Sequence, residues 1–224
     1  MCGIAGLVFT DGSQPSVDQV DRLASALKHR GPDGEGRLNV GAINLVHRRL
    51  AIIDLKTGDQ PFEDGDGISL IANGEIYNYR ELGAAMPEVE LNSASDCEPP
   101  LHLYGCYGLD FAQHLRGMYA LAIYDQQRRR LVLARDPFGI KPLYFVENNE
   151  GFFFASEIQA LLRAKCADRR LSESSIGQLL NRQFVPGNST IFPKIQRVTP
   201  GETLVVEGGR IVRREKIDAL SNGP

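Results

Sequence analysis

Four short strand-like segments follow one another in the second half of the chain: "YALAIYD" (119–125), "RLVLARD" (130–136), "PLYFVE" (142–147) and "GFFFASE" (151–157). Each is rich in aromatic, β-branched or other apolar residues and is closed by a tight polar turn. Strands joined so closely pair antiparallel, because a parallel pair needs a long crossover. The same pattern recurs elsewhere. "CGIAGLVF" at the N-terminus reads as a buried strand, and "AINLVHRRLAIID" alternates. "ISLIANGEIYN" follows the acidic turn "EDGDG", and "ETLVVEGGRIVRREK" is a hairpin around Glu207-Gly208-Gly209.

Helices are interspersed. In "SVDQVDRLASALKHR" the residues Val17, Val20, Leu23, Ala24 and Leu27 are spaced for one helix face. "YRELGAAM", "SEIQALLRA" and "SESSIGQLLNR" are further helices. "SDCEPPLHLYGCYG" opens with cap chemistry, Ser95 or Asp96 accepting first-turn N–H groups and Pro99 and Pro100 sitting in the first turn. The glycine-rich "GPDGEGRLNVG" is expected to be loop, and the polar tail 218–224 to be disordered. Stacked antiparallel sheets with helices outside give an α+β architecture.

A chain of 224 residues with 42% apolar and 24% charged residues is long enough for a sizeable core. Its net charge of −3 gives no global basic field, so neither nucleic acid nor an anionic membrane surface is an expected partner. The run Arg128-Arg129-Arg130 reads as a solvated hairpin turn. No stretch is apolar enough to span a membrane, and the N-terminal run lacks the basic flank of a signal peptide. Cytoplasmic localisation is the expectation. The four cysteines, Cys2, Cys97, Cys106 and Cys166, contain no Cys-x-x-Cys pair, so no zinc or other metal site is expected. Cys97, Cys106 and Cys166 read as small buried apolar groups.

Cys2 is different. If Met1 is removed, one residue carries both a thiol and a free α-amine of pKa near ~8, a nucleophile with its own base. Arg49, at the end of a strand, could grip a carboxylate with two prongs. Asn73-Gly74 could aim a side-chain amide and a backbone N–H at a developing oxyanion. Asp96 could hold an ammonium. Each has an ordinary reading when taken alone: a chance residue at position 2, a surface arginine, a hairpin turn, a helix cap. Arg48 should point away from Arg49, to the surface. A carboxylate for an ammonium and an arginine for a carboxylate together describe a binder of free α-amino acids.

The stretches "MCGIAG", "HRGPDGEG", "HRRLAIIDL", "GDQPF", "NGEIYNYREL", "SDCE", "LRGMYALAIYD", "LARDPFGIKPLY" and "FASEIQAL" resemble the glutamine-hydrolysing domain of asparagine synthetase. That domain is a class II glutamine amidotransferase of the N-terminal-nucleophile hydrolase group. The resemblance runs from residue 2 to about residue 163 and weakens through "VPGNSTIF" and "VTPGETLVV". It implies a four-layer αββα sandwich, with Cys2 attacking the side-chain amide of L-glutamine. It places Asn73 and Gly74 at the oxyanion positions, Arg49 on the substrate α-carboxylate, and Glu75 and Asp96 at its polar end. It assigns the loop around Arg30, Gly31, Pro32 and Asp33 to closing over substrate, and "RDPFGIKPLY" to the region near the synthetase contact.

Two departures qualify the expectation. No glycine- and serine-rich pyrophosphate loop is visible, so ATP and Mg2+ are expected to act only in a synthetase domain or partner subunit, while glutamine hydrolysis needs no cofactor. Residues 2–185 are read as the amidotransferase domain and 186–224 as a linker-like segment and hairpin. Pro99-Pro100 replaces the usual helix formers beside Asp96. The expected partners are L-glutamine and a synthetase domain or subunit, with a homodimer compatible with the family. A non-catalytic glutamine-binding module and a hydrolase of another amide stand as alternatives.

Overall fold

A computed structural model describes residues 1–219. Twelve strands form two six-stranded antiparallel sheets. The first has the order β10-β8-β9-β1-β3-β2, from β1 (Gly3–Phe9), β2 (Gly34–Val40), β3 (Ile43–Arg49), β8 (Tyr144–Glu147), β9 (Gly151–Ala155) and β10 (Gln196–Arg197). The second has the order β12-β11-β7-β6-β5-β4, from β4 (Phe62–Glu63), β5 (Ile68–Ile76), β6 (Gly117–Asp125), β7 (Arg130–Arg135), β11 (Glu202–Glu207) and β12 (Arg210–Lys216).

Alternation of side chains along the strands builds three separate cores. On β1, Ala5 and Leu7 face helices α1 (Val17–Ala26) and α4 (Ile158–Arg163), packing with Leu23, Ala24, Ala160 and Leu161. Ile4, on the opposite face, packs between the sheets with Leu45, Ile71, Phe152, Phe154 and Leu204. The outer face of the second sheet buries Leu70, Leu121 and Val132 under α2 (Tyr79–Ala85) and α3 (Pro99–Tyr107), with Leu101, Tyr104 and Phe111. Three cores between four layers make the expected αββα sandwich. Strands covered on both faces read as unbroken apolar runs, as "GIAGLVF" and "GFFFA" do. Gly6 leaves room for its cross-strand neighbours: a Cβ there would lie 2.3 Å from the Phe154 ring.

Several local expectations are corrected. The glycine-rich segment is not all loop: β2 pairs with β3 from Gly34↔Arg49 to Val40↔Ile43. Its glycines supply clearance, since a Cβ on Gly36 would be 1.7 Å from the Gln60 carbonyl oxygen. Arg48 is not on the surface; it is buried and ion-paired with Glu35 across that strand pair. Val17 begins α1 but is exposed, and the buried stripe is Val20, Leu23, Ala24 and Leu27. Cys106 is exposed, whereas Cys97 and Cys166 are buried. Burial pushes the Cys166 thiol up to about 12. Neither Ser95 nor Asp96 caps α3. Glu98 is the cap residue, and Pro99 and Pro100 occupy the first two helical positions, where no N–H is needed.

The connection from β7 to β8 is not a tight turn, because it carries the chain from one sheet to the other. Buried Asp136 organises it by accepting the N–H groups of Phe138 (3.2 Å), Ile140 (2.9 Å) and Lys141 (3.0 Å). The helix α5 (Glu173–Arg182) forms as expected, with Leu180 and the following Phe184 exposed. The hairpin β11–β12 is integral to the second sheet, with Leu204, Val205 and Val206 buried. The tail expected to be disordered lies outside the described residues from 220 onward.

Candidate active site

Register brings the first functional residues together. Gly3 pairs with Arg48, so Cys2 falls beside the end of β3, at Arg49 and Leu50. The Leu50 N–H donates to the Cys2 sulfur (3.4 Å), and the thiol lies 3.7 Å from the Leu50 carbonyl it donates to. Ser156 fixes the start of β1 in both directions: its Oγ accepts the Ile4 N–H (3.0 Å) and its N–H donates to the Ile4 carbonyl (2.8 Å). Arg30, expected at the substrate, sits behind Cys2 instead. Its Nε donates to the Cys2 carbonyl (2.9 Å) and its Nη1 pairs with Glu157 (2.9 Å), and it does not line the pocket. The segment it belongs to is strapped down, as Asp33 bonds the Arg49 carbonyl (3.0 Å) and accepts the Ala51 N–H (2.9 Å).

The second sheet contributes the free edge of β5. The short β4 covers only Ser69 and Leu70. Beyond it, Ala72, Gly74 and Ile76 turn their backbone polar groups away from β6, because they alternate with the residues that face it. Side chains take the place of a strand there. Gln60 Oε1 accepts the Ala72 N–H (2.6 Å), Asp96 Oδ2 accepts the Ile76 N–H (2.8 Å), and the Cys97 thiol donates to the Gly74 carbonyl (3.5 Å). The Gly74 N–H points off the same edge between them and has no partner among the described residues. The Asn73 Nδ2, fully buried, also has none. A buried donor without a partner is rare and costly, and Asn73 Nδ2 adjoins the half-buried Gly74 in one pocket wall. Asn73-Gly74 is thus inside a strand, not a hairpin turn.

Cys2, Arg49, Asn73, Gly74, Glu75 and Asp96 line this one pocket, at whose mouth Met1 also stands. The sequence reading therefore gathers six of its seven site residues here. Arg49 is buried at one side. Its Nη1 pairs with Asp59 (2.7 Å), and its Nη2 reaches the carbonyls of Ile53 (3.4 Å) and Asp54. Asp96 is buried, and that burial raises its carboxyl above the usual range, with the neighbouring Glu75 charge adding to the effect and the Ile76 N–H opposing it. Burial likewise holds the Cys97 thiol well above the usual thiol range, so it is protonated beside Cys2.

The pocket also includes Gln60 and Lys141, to which the sequence assigned no role. Both lie in stretches that carried the resemblance, "GDQPF" and "RDPFGIKPLY", but their convergence depends on how the two sheets stack. Among the described residues no cluster of three or more His, Cys, Asp or Glu side chains is disposed to hold a metal ion, and no helix is long and apolar enough to cross a membrane. The arrangement can do nucleophilic chemistry: a thiol, two free donors beside it, and a cation and carboxylates set apart to orient a zwitterion.

A family model described as a glutamine amidotransferase domain matches residues 1–216. The chain is 41% identical over 165 residues to glutamine-hydrolyzing asparagine synthetase 2 of Bacillus subtilis (strain 168), covering 72% of this chain and 22% of that protein. It is 35% identical over 221 residues to amidase chyE of Penicillium rubens, covering 92% of this chain and 32% of that protein. It thus spans less than a third of the length of either relative. Among solved structures it resembles the glutamine phosphoribosylpyrophosphate amidotransferase of Bacillus subtilis with a TM-score of 0.70, over 96% of this chain and 49% of that one. At 20% identity that likeness speaks to the fold.

Proposed function

The chain belongs to the glutamine amidotransferase domain family, and on that premise we propose that this pocket hydrolyses L-glutamine to L-glutamate and ammonia. The observation that carries the reading is the pair of unpartnered donors, Asn73 Nδ2 and the Gly74 N–H, in the pocket wall shared with Cys2. Loss of Met1 frees the α-amine of Cys2 and opens the pocket mouth. The amine accepts the thiol proton, directly or through water. The thiolate attacks the glutamine Cδ, and the carbonyl oxygen takes up negative charge between the two donors. Such donors lie ready for charge that exists only along the reaction, which is where stabilisation accelerates it. The tetrahedral intermediate collapses as the proton passes from the amine to the departing ammonia, leaving a thioester. Water then cleaves the thioester and restores the thiol.

Arg49 holds the α-carboxylate, while Asp96 and Glu75 face the α-ammonium. Hydrolysis itself uses no metal or cofactor. The ammonia passes to an ATP- and Mg2+-dependent synthetase domain or subunit, with asparagine synthesis as the parent activity, and homodimers suit the same scheme. Exposed Ile52, Leu55, Phe138 and Ile140, on loops bordering the pocket, support a partner surface there. A reduced N-terminal thiol suits the cytoplasm. The test is to measure glutamate and ammonia released from glutamine, without ATP, by protein lacking Met1 and by its Cys2→Ala variant. Stoichiometric products abolished by the substitution are expected; undiminished turnover in Cys2→Ala would overturn the proposal.

A further inference from the structure

The pocket draws its parts from two sheets. Cys2 and Arg49 come from the first, and Asn73 and Gly74 come from the second. Their relative placement must be held to within a fraction of an ångström for donors to meet an oxyanion. The segment Gly58–Gln60 touches both sides, reaching Arg49 and Gly36 of the first sheet and Ala72 of the second. Asp59 pairs with Arg49 Nη1 (2.7 Å). Gly58 lies so close to the guanidinium that a Cβ there would be 2.6 Å from Nη2. The Gln60 carbonyl is pressed against Gly36 of β2. Across the gap, the Gln60 side chain is buried and its Oε1 accepts the Ala72 N–H at 2.6 Å.

That last contact takes the place of a strand. Phe62 pairs with Leu70, so Gln60 lies opposite Ala72 where β4 would continue. Its amide oxygen satisfies the one N–H on the β5 edge immediately before the free Gly74 N–H. Asp96 satisfies the one immediately after, at Ile76. Gly74 is thus suspended between two clamped amides. Asp96 also faces substrate in the proposed scheme, whereas the Gln60 oxygen is fully engaged with backbone.

We infer that Gln60 is a positioning residue, fixing the oxyanion donors of β5 against the Cys2–Arg49 side of the pocket. The inference rests on the proposed glutaminase reading. Loss of the clamp leaves a buried N–H at Ala72 without a partner and lets the β5 edge relax towards water. The donors then sit imperfectly for the oxyanion, while Arg49 keeps its own anchors on Asp59 and on the carbonyls of residues 53 and 54. The effect falls on kcat and leaves KM nearly unchanged.

The experiment compares Gln60→Met, which keeps the volume and removes the acceptor, with Gln60→Glu, which keeps an acceptor for the Ala72 N–H. Glutamine hydrolysis and thermal unfolding are measured on the whole chain lacking Met1. Gln60→Met is expected to lower kcat by roughly ten- to a hundredfold, less than the hundred- to thousandfold cost of removing an oxyanion donor outright, with KM within about twofold. Gln60→Glu is expected to recover most of that loss. A Gln60→Met protein that is folded at the assay temperature and turns over like wild type overturns the inference, as does an effect on KM alone or an equal loss in both variants. An inactive wild type instead overturns the glutaminase reading, so the two failures are distinguishable.

Discussion

Asn73→Ala separates catalysis from folding at one residue. The wild-type amide is almost fully buried on β5, opposite Ala120 of β6, and its Nδ2 donates to nothing. A buried donor without a partner costs a fold about 1–3 kcal/mol. Alanine removes that cost but gives up packing around the deleted atoms. The two effects oppose each other, and in a domain of this size 1 kcal/mol moves Tm by about 2–4 °C. The net shift is expected to stay within a few degrees. The rate behaves otherwise. Losing one oxyanion donor costs about 2.7–4 kcal/mol of transition-state stabilisation, a hundred- to thousandfold in kcat. KM should change little, because the donor meets its full charge only after attack. Steady-state glutamate release and thermal unfolding on the same preparation provide both readings. A folded variant with kcat within about threefold of wild type would refute the oxyanion assignment, and a loss confined to KM would place Asn73 in ground-state binding instead.

Other expectations follow from the same geometry. Arg49→Lys should raise KM for glutamine by at least tenfold, because an ammonium cannot reproduce a planar two-pronged contact; unchanged steady-state kinetics would remove Arg49 from the carboxylate site. Asp96→Asn should weaken glutamine binding while leaving Tm at pH 7 no lower than wild type. The native carboxyl titrates above its unfolded value, so its ionised form costs stability above that range and the cost fades as pH falls through it; a Tm gap that widens on acidification would contradict this. His47 is buried with neither ring nitrogen in a hydrogen bond of normal geometry, and that burial, partly opposed by the Ala72 backbone, lowers its pKa to about 3. Unfolding then takes up a proton below an unfolded value near 6.5, so stability held above that pH is lost on acidification, by about 2 kcal/mol at pH 5. His47→Gln should flatten the slope between those pH values in chemical denaturation, and an unchanged slope would refute the assignment.

Much of this fold is written locally. Strands buried on both faces announce themselves as continuous apolar runs, and Ser16 and Ser172 cap their helices in the structure. Cys2, Arg49, Asn73, Gly74, Glu75 and Asp96, singled out for their residue types, converge on one pocket. What escaped depends on contacts between distant segments. Glycine signals turns, yet Gly36 sits in a strand, where the Gln60 carbonyl crosses it too closely for a side chain. Asp96 looked like a cap because caps are the usual use of a carboxylate before a helix, but its oxygen is taken by the Ile76 N–H, twenty residues away. Arg30 was sought at the substrate and instead bonds the carbonyl of Cys2. Gln60 and Lys141 carried no signal of their own, since only the stacking of the sheets brings them to the pocket.

The most direct test of the central claim is to trap the intermediate. Protein lacking Met1 is mixed with glutamine, quenched in acid within a single turnover, digested, and examined by mass spectrometry for a γ-glutamyl thioester. The adduct is expected on the N-terminal peptide at Cys2, to accumulate more slowly in Asn73→Ala, and to be absent from peptides holding Cys97, Cys106 and Cys166. Glutamate formed with no adduct on Cys2 at any quench time, in protein whose Cys2→Ala variant remains active, would contradict the account.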